Sequence, residues 1–238
     1  MDWAAHFDTY GLRARLTPAL LTLFPLVVVV AVWFPKVYSE AAALFSVAAA
    51  CGLLLFLAHL ARYRGRQAQR KLIRTWGGMP TTILLRHRDT TVPAGTKRKY
   101  HAFLNKRVPA VRIPSKDEEQ RDPEEADHQY DTGVRWLLEQ TRGDHLVFKE
   151  NVSYGIRRNI FGLRHYGRAT TGALAVATTA DLITQHMGGA TPPADKVAAA
   201  IFIATCFAAW CTVVRRSWVW DAGQAYATRL LAQIEKLR

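Results

Sequence analysis

Two uncharged apolar runs separated by a short connection constrain this chain more than any other feature. Leu16 to Phe34 carries Val27, Val28, Val29 and Val30 at its centre, and Ala41 to Ala61 follows after only Pro35 to Glu40. Each run matches the roughly 20 residues that an α-helix needs to cross a hydrocarbon core of about 30 Å. A connection that short forces an antiparallel hairpin. A cleaved leader is excluded as a reading of the first run. No small-x-small cleavage pattern follows it, and a second apolar run returns at once.

A second pair lies towards the other end of the sequence. Val197 to Val214 is clearly apolar, whereas Ala169 to Met187 is rich in Thr and Ala and contains Asp181. Gly188-Gly189 and Pro192-Pro193 mark a tight connection between them. A buried core helix is the competing reading of Ala169 to Met187. A span is preferred because three crossings would separate Arg215 and Arg216 from the other basic clusters.

Charge distribution sets the expected orientation. The formal net charge is +13. Arg13 and Arg15 precede the first run, Arg62, Arg64, Arg66, Arg70, Lys71 and Arg74 follow the second, and Arg157, Arg158, Arg164 and Arg168 precede the third. Arg215 and Arg216 follow the fourth, while the two short connections hold only Lys36 and Lys196. Basic residues near span ends favour the cytoplasmic side. The expectation is therefore a mainly α integral membrane bundle of two transmembrane hairpins, with a small cytoplasmic α or α+β domain inserted between spans 2 and 3. Its parts are an interfacial segment (1–15), hairpin 1 (16–61), a basic cytoplasmic domain (62–168), hairpin 2 (169–216) and a C-terminal cytoplasmic helix (217–238). Both termini are expected on the cytoplasmic side of an inner membrane. Trp33 and Tyr38 would mark the outer interface, and Tyr63, Trp218 and Trp220 the inner one.

Within the cytoplasmic parts, Trp3, Phe7 and Tyr10 suit a short interfacial helix. Gly77-Gly78-Met79-Pro80 ends the helix that continues from the second span. Thr81 to Leu85 is short and β-prone, which leaves room for a strand there. Thr96 to Val108 reads as a helix with Tyr100, Phe103 and Leu104 inward. Asp122-Pro123-x-Glu125 has the chemistry of a helix start, and Tyr130, Val134, Leu137 and Leu138 continue it as a core-facing stripe. Residues 151–164 read as a basic amphipathic helix leading into the third span. In the tail, Trp220, Ala227, Leu230, Leu231, Ile234 and Leu237 form a further apolar stripe.

Chemistry-bearing patterns are sparse. Phosphate-loop, dinucleotide, zinc-protease and nucleophile-elbow signatures are absent. Cys51, Cys206 and Cys211 all fall in apolar runs without metal-ligand spacing. No cofactor and no metal centre is expected; Glu124, His128 and Asp131 share a helical face, best read as solvated acidic surface. Asp181 is the sharpest single residue, with Thr178 and Thr184 one turn away, because a carboxylate deep in a bilayer is costly and usually functional. The competing reading puts Asp181 at the outer interface, close to Gly189. His59, near the inner end of the second span, reads as interfacial. Lys97, Arg98, Tyr100, Tyr154, Arg157 and Arg158 could bind a phosphate-bearing ligand, the two tyrosines stacking a base.

Function is weighed among three classes. The first is a non-enzymatic membrane effector or channel-like homo-oligomer whose cytoplasmic domain senses a ligand or partner. Its layout is similar in organisation to small multi-pass effectors of bacterial anti-phage systems. The second is a membrane-anchored scaffold or a phosphate-ligand or nucleotide-binding module. The third, a lipid-phosphate enzyme using His87, His101 or His128, ranks last because no paired nucleophile and base is visible. The expected partners are anionic inner-leaflet lipids, further copies of the chain, and a phosphate-bearing ligand or protein, with nucleic acid a remote option.

Overall fold

In the computed structural model the protein is mostly helical, with no strand among the described residues. The structure describes residues 3–35, 40–109 and 111–237, without side chains for 3–12 and 40–46. Tyr38 and the side chains of Trp3, Phe7 and Tyr10, which the sequence marks as interfacial, lie outside the described set.

Helices follow in the order α1 (Trp3–Trp33), α2 (Glu40–Trp76), α3 (Pro80–Leu85), α4 (Ala94–Arg107), α5 (Lys116–Arg121), α6 (Pro123–Gln140), α7 (His145–Met187), α8 (Ala194–Thr212), α9 (Arg216–Ala232) and α10 (Ile234–Leu237). Among the described residues three are long and apolar enough to cross a membrane: α1 over Arg13–Trp33, α2 within Val47–Leu85, and α8 over Ala194–Thr212. These helices mark the chain as a membrane protein. The Thr-rich half of α7 is long enough but falls short in apolarity.

Chain contacts divide the molecule into two compact units. The first takes residues up to Gln69 and Gly155–Trp218, that is α1, most of α2, most of α7, and α8. The second takes Arg70–Tyr154 and Val219–Arg238, that is α3 to α6, most of α9, and α10, with the adjoining ends of α2 and α7.

In the first unit the helices alternate in direction. α1 and α7 run parallel: Ala14 lies by Asn159, and Trp33 lies by Asp181. α8 runs against both, with Phe24 edge-on to Phe202 at 5.6 Å and Lys196 beside Asp181. α2 and α7 cross so closely that a Cβ on Gly162 would lie 2.5 Å from the Gly65 backbone nitrogen, and one on Gly65 would meet Asn159. Small residues of this kind let helix backbones touch, which is the main route to tight packing where lipid removes the hydrophobic drive. Pro18 and Pro25 sit inside α1 without breaking it, as prolines do in membrane helices. Trp3–Trp33 is one continuous helix, so the N-terminal segment is not a separate element ahead of the span.

The second unit closes around an apolar core. Leu72, Leu84, Leu85, Leu104, Tyr130, Leu137, Val219, Leu230, Leu231 and Ile234 are fully buried or nearly so. Leu146 is its one large exposed apolar side chain among the described residues, whereas the first unit exposes Leu20, Leu21, Phe24, Val47, Leu55, Phe56, Val176, Ile183, Met187 and Ile201. Among the described residues, exposed apolar surface is thus concentrated on the first unit.

Local chemistry sets the helix ends. Gly77 has φ +76° and the Gly78 N–H donates to Ile73 O at 3.0 Å, a Schellman stop for α2. Gly189 (φ +79°) closes α7 in the same way, with Ala190 N–H donating to Gln185 O. Asp122 caps α6 by accepting from Glu125 N–H at 3.0 Å with Pro123 in the first turn, as its sequence predicts. Thr81–Leu85, where the sequence leaves room for a strand, is α3. Pro80 opens that helix, and Thr81, Thr82, Leu84 and Leu85 are buried in it, so tertiary packing overrides the β-propensity of the threonines.

Candidate functional site

Each unit holds a compact cluster of polar side chains. In the first, the C-terminal end of α1, the last turns of α7 and the first turn of α8 bring four side chains together. Trp33 Nε1–H donates to Asp181 Oδ2 at 2.9 Å, Gln185 Nε2–H donates to the same oxygen at 2.6 Å, and Lys196 Nζ lies 3.3 Å from it. The Lys196 ammonium also stands 5.5 Å from the centre of the Trp33 ring. Asp181 is thus satisfied by an indole, an amide and a cation from three elements. All three elements end or begin at this level, so the cluster lies at a rim of the helix unit rather than at its middle.

Several hydroxyls within the helices bond to their own backbones. Thr178 Oγ1 donates to Leu174 O at 2.8 Å and Thr184 Oγ1 to Asp181 O at 2.8 Å. Thr22 and Thr171 do the same with Pro18 O and Gly167 O. Such bonds hide hydroxyls within a single helix. His59 is exposed and its Nδ1 lies 3.0 Å from Leu55 O. Asp181 and Thr184 are therefore brought together by the structure, and Thr178 and His59 are not joined to them. Gln185 and Lys196 complete the cluster unannounced by the sequence. The one available signal was their position at i+4 from Asp181 and just after the Gly-Pro connection.

In the second unit, α3 and the turn after it carry a buried polar hub. Arg86 grips Asp127 through Nε at 2.8 Å and Nη2 at 2.5 Å, and donates to Gly77 O at 2.6 Å. Glu119 accepts from Tyr130 Oη–H at 2.7 Å and from the backbone N–H of His87 and Arg88. His101 Nε2 sits 2.7 Å from Leu85 O, with its ring 4.7 Å from that of His87 and stacked at 5.8 Å on Tyr130. Lys97 donates to Arg86 O at 2.6 Å and to Asp89 O, and pairs with the Asp89 carboxylate. Thr82 donates to Asp131.

Burial sets the electrostatics of this hub. Desolvation, with the positive neighbours His87 and Lys97, pulls His101 down to about 4. It also lowers Lys97, against the opposing pull of Asp89. For Glu119 desolvation acts upwards, but the bonds from Tyr130 and the two backbone N–H groups prevail and hold it below the usual carboxylate value. Tyr130 is raised by burial and by its bond to Glu119. Every charged group here meets an internal partner. The hub therefore has the chemistry of a structural lock, and no nucleophile faces open space beside a base.

The phosphate candidates divide between the units. Lys97, Arg98, Tyr100 and Tyr154 fall in the second, Arg157 and Arg158 in the first. Lys97 is 5 % exposed and committed internally, while Arg98 is exposed. Tyr100 and Tyr154 are buried, the latter parallel to Tyr226 with ring centres 6.4 Å apart. Arg157 Nη1–H donates to Trp218 O at 3.1 Å over the Trp218 ring, and Arg158 Nη1–H donates to Gln69 Oε1 at 2.8 Å. A shallow hollow of about 400 Å³ borders Arg112, Glu118, Arg121, Asp122 and Glu125, where Arg112 is already paired with Glu118. Compared with known protein families, curated proteins and solved structures, the chain matches none of them.

Proposed function

We propose that this protein is a four-span protein of a cytoplasmic membrane, and that its four helices anchor a non-enzymatic helical binding domain on the arginine-rich, cytoplasmic side. The spans are α1, α2, the Thr-rich half of α7, and α8; the domain is the second unit. Support for the α7 crossing comes from packing. α7 lies along α8 from Gly167 against Trp210 to Asp181 against Lys196, and its outward residues Val176, Ile183 and Met187 are apolar. A helix held at both levels against an apolar span shares that span's solvent.

The observation that carries the anchoring role is the closure of polar groups within the helix unit. Asp181 is locked at a rim by Trp33, Gln185 and Lys196, and the buried Thr22, Thr171 and Thr178 bond to their own backbones, so these described groups are closed to a passing ion. Single-cysteine labelling tests the topology in a chain whose Cys51, Cys206 and Cys211 are replaced by Ala. Q120C is expected to react only from the cytoplasmic side and T191C only from the opposite side; the reverse, or labelling of both from one side, refutes four spans. Purified protein in liposomes is expected to leave a potassium gradient intact.

A second reading, the channel-like oligomer, is favoured by one feature. Ala204, Ala208 and Thr212 line the exposed side of α8, a seam of small residues suited to contact between copies. Potassium flux that vanishes in A208L would establish that reading in place of the anchor.

A further inference from the structure

Arg164 and Arg168 lie one turn apart on α7, just before its Thr-rich half, and Arg216 opens α9 after α8 ends. Arg164 Nη1–H donates to Phe161 O at 2.9 Å, and its guanidinium lies 4.1 Å from the centre of the Phe161 ring. Arg168 Nε–H donates to Trp210 O at 3.0 Å. Backbone carbonyls and a ring face orient these two guanidiniums but neutralise neither. Among the described residues no carboxylate pairs with Arg164, Arg168 or Arg216. Burial, then repulsion from Arg168 and Arg216, holds Arg164 below the usual arginine value. A partly desolvated group of like charges is costly unless an anion completes it.

The apolar surface continues directly from this cluster. Positions 164, 168, 172 and 176 follow one another at four-residue spacing along α7, so two arginines lead to Gly172 and then to Val176, which is 71 % exposed. Phe207 of α8 covers Gly172 and is itself exposed, as is Val213 close to Arg216. α9 contributes further positive potential at its N-terminus, with no acidic residue in its first turn. Cations at one end and exposed hydrocarbon along the same stripe match an amphiphile with an anionic head.

Resting on the four-span reading, we propose that Arg164, Arg168 and Arg216 form a specific site for the phosphate headgroup of an anionic lipid, whose acyl chains lie along Gly172, Val176 and Phe207. The guanidiniums offer forked donors suited to phosphate oxygens. The lipid supplies the counter-charge that the protein itself lacks there. This differs from diffuse attraction of a basic surface to a charged leaflet, which would depend on the number of arginines and not on which ones are present.

The test uses full-length protein in phosphatidylcholine vesicles doped with spin-labelled phosphatidic acid or spin-labelled phosphatidylcholine. Electron paramagnetic resonance reads the motionally restricted fraction of each. The native chain is expected to select phosphatidic acid by about tenfold. R164Q/R168Q/R216Q is expected to bring that selectivity close to unity, and R66Q/R70Q/R74Q, which removes the same charge from exposed positions on α2, to leave it unchanged. Equal loss in both triple variants, or no loss in the first, overturns the site. Displacement of the lipid by millimolar inorganic phosphate also overturns it, assigning the arginines to a soluble anion. The single R216Q change, at an exposed residue, is expected to lower selectivity about threefold with an unchanged circular dichroism spectrum; unaltered selectivity in it removes Arg216 from the site. Flotation separates the two proposals: protein that does not float with the vesicles refutes the spans, and floating protein without selectivity refutes only the lipid site.

Discussion

Trp33 Nε1–H donates to Asp181 Oδ2 at 2.9 Å across 148 positions of sequence, tying the end of α1 to the last turns of α7. Lys196 joins the pair from α8, so one carboxylate oxygen holds three helices at a common level. W33F and D181A are each expected to lower the melting temperature in detergent by roughly 3 °C. The double variant is expected to lose little more than either single, because the partners share one interaction. Additive losses would show that the two side chains act apart.

The crossing of α2 and α7 makes a sharper demand. A Cβ on Gly162 would sit 2.5–2.8 Å from the backbone of Arg64 and Gly65, and backbone cannot rotate away as a side chain can. G162A is expected to destabilise by about 2 kcal/mol and G162L by more. G172A, whose Cβ would meet only the Phe207 ring edge at 3.1 Å, is expected to cost less than half as much. Denaturation by graded detergent mixtures checks the order.

Acid is expected to loosen the second unit. His101 titrates at about 4 in the folded chain against 6.5 for the free side chain. Between those values the unfolded chain binds more protons, so stability is complete above about pH 6.5 and falls as pH drops towards 4. The loss from this residue is on the order of 2 kcal/mol once solvent screening is allowed for. Tryptophan fluorescence during unfolding at stepped pH is expected to show that slope, and H101N to flatten it. A native chain equally stable at pH 4.5 and 7 would refute the assignment.

Glu119 collects donors from Tyr130, His87 and Arg88. E119A leaves these without an acceptor and is expected to cost about 3 kcal/mol. E119Q keeps one carbonyl oxygen and is expected to cost about half as much. Y130F removes a single donor, with an expected loss of about 1 kcal/mol. Chemical denaturation followed by circular dichroism orders the three variants.

The legible parts of this fold are those governed by local chemistry. Asp122, Pro123 and Glu125 announce α6 because capping needs only neighbours in sequence. Gly77-Gly78 announces the end of α2 for the same reason, and the apolar runs announce α1 and α8. The capping box at Ser115 and Glu118 is equally local, yet it was hidden inside an acidic stretch that reads as solvated surface. α3 was illegible because the burial of Thr81 and Thr82, and the bond from Thr82 to Asp131, are decided by residues far along the chain. The candidate residues show the same division. Asp181 stands out as a charge in an apolar setting, but its partner Trp33, 148 positions away, comes only from the packing of α1 against α7. Lys97 looked like a surface cation from its basic neighbours, while the structure turns it inward to the Arg86 and Asp89 carbonyls.

The second unit is assembled from two separate stretches, Arg70–Tyr154 and Val219–Arg238, and the later one supplies Leu230, Leu231 and Ile234 to its core. Ribosomes make that stretch only after α8 has been synthesised. The core of this unit consequently cannot be completed until α9 and α10 have been made. Closure of this half is then a late event in synthesis, and a chain ending near residue 218 would lack Leu230, Leu231 and Ile234 and leave that core unfinished.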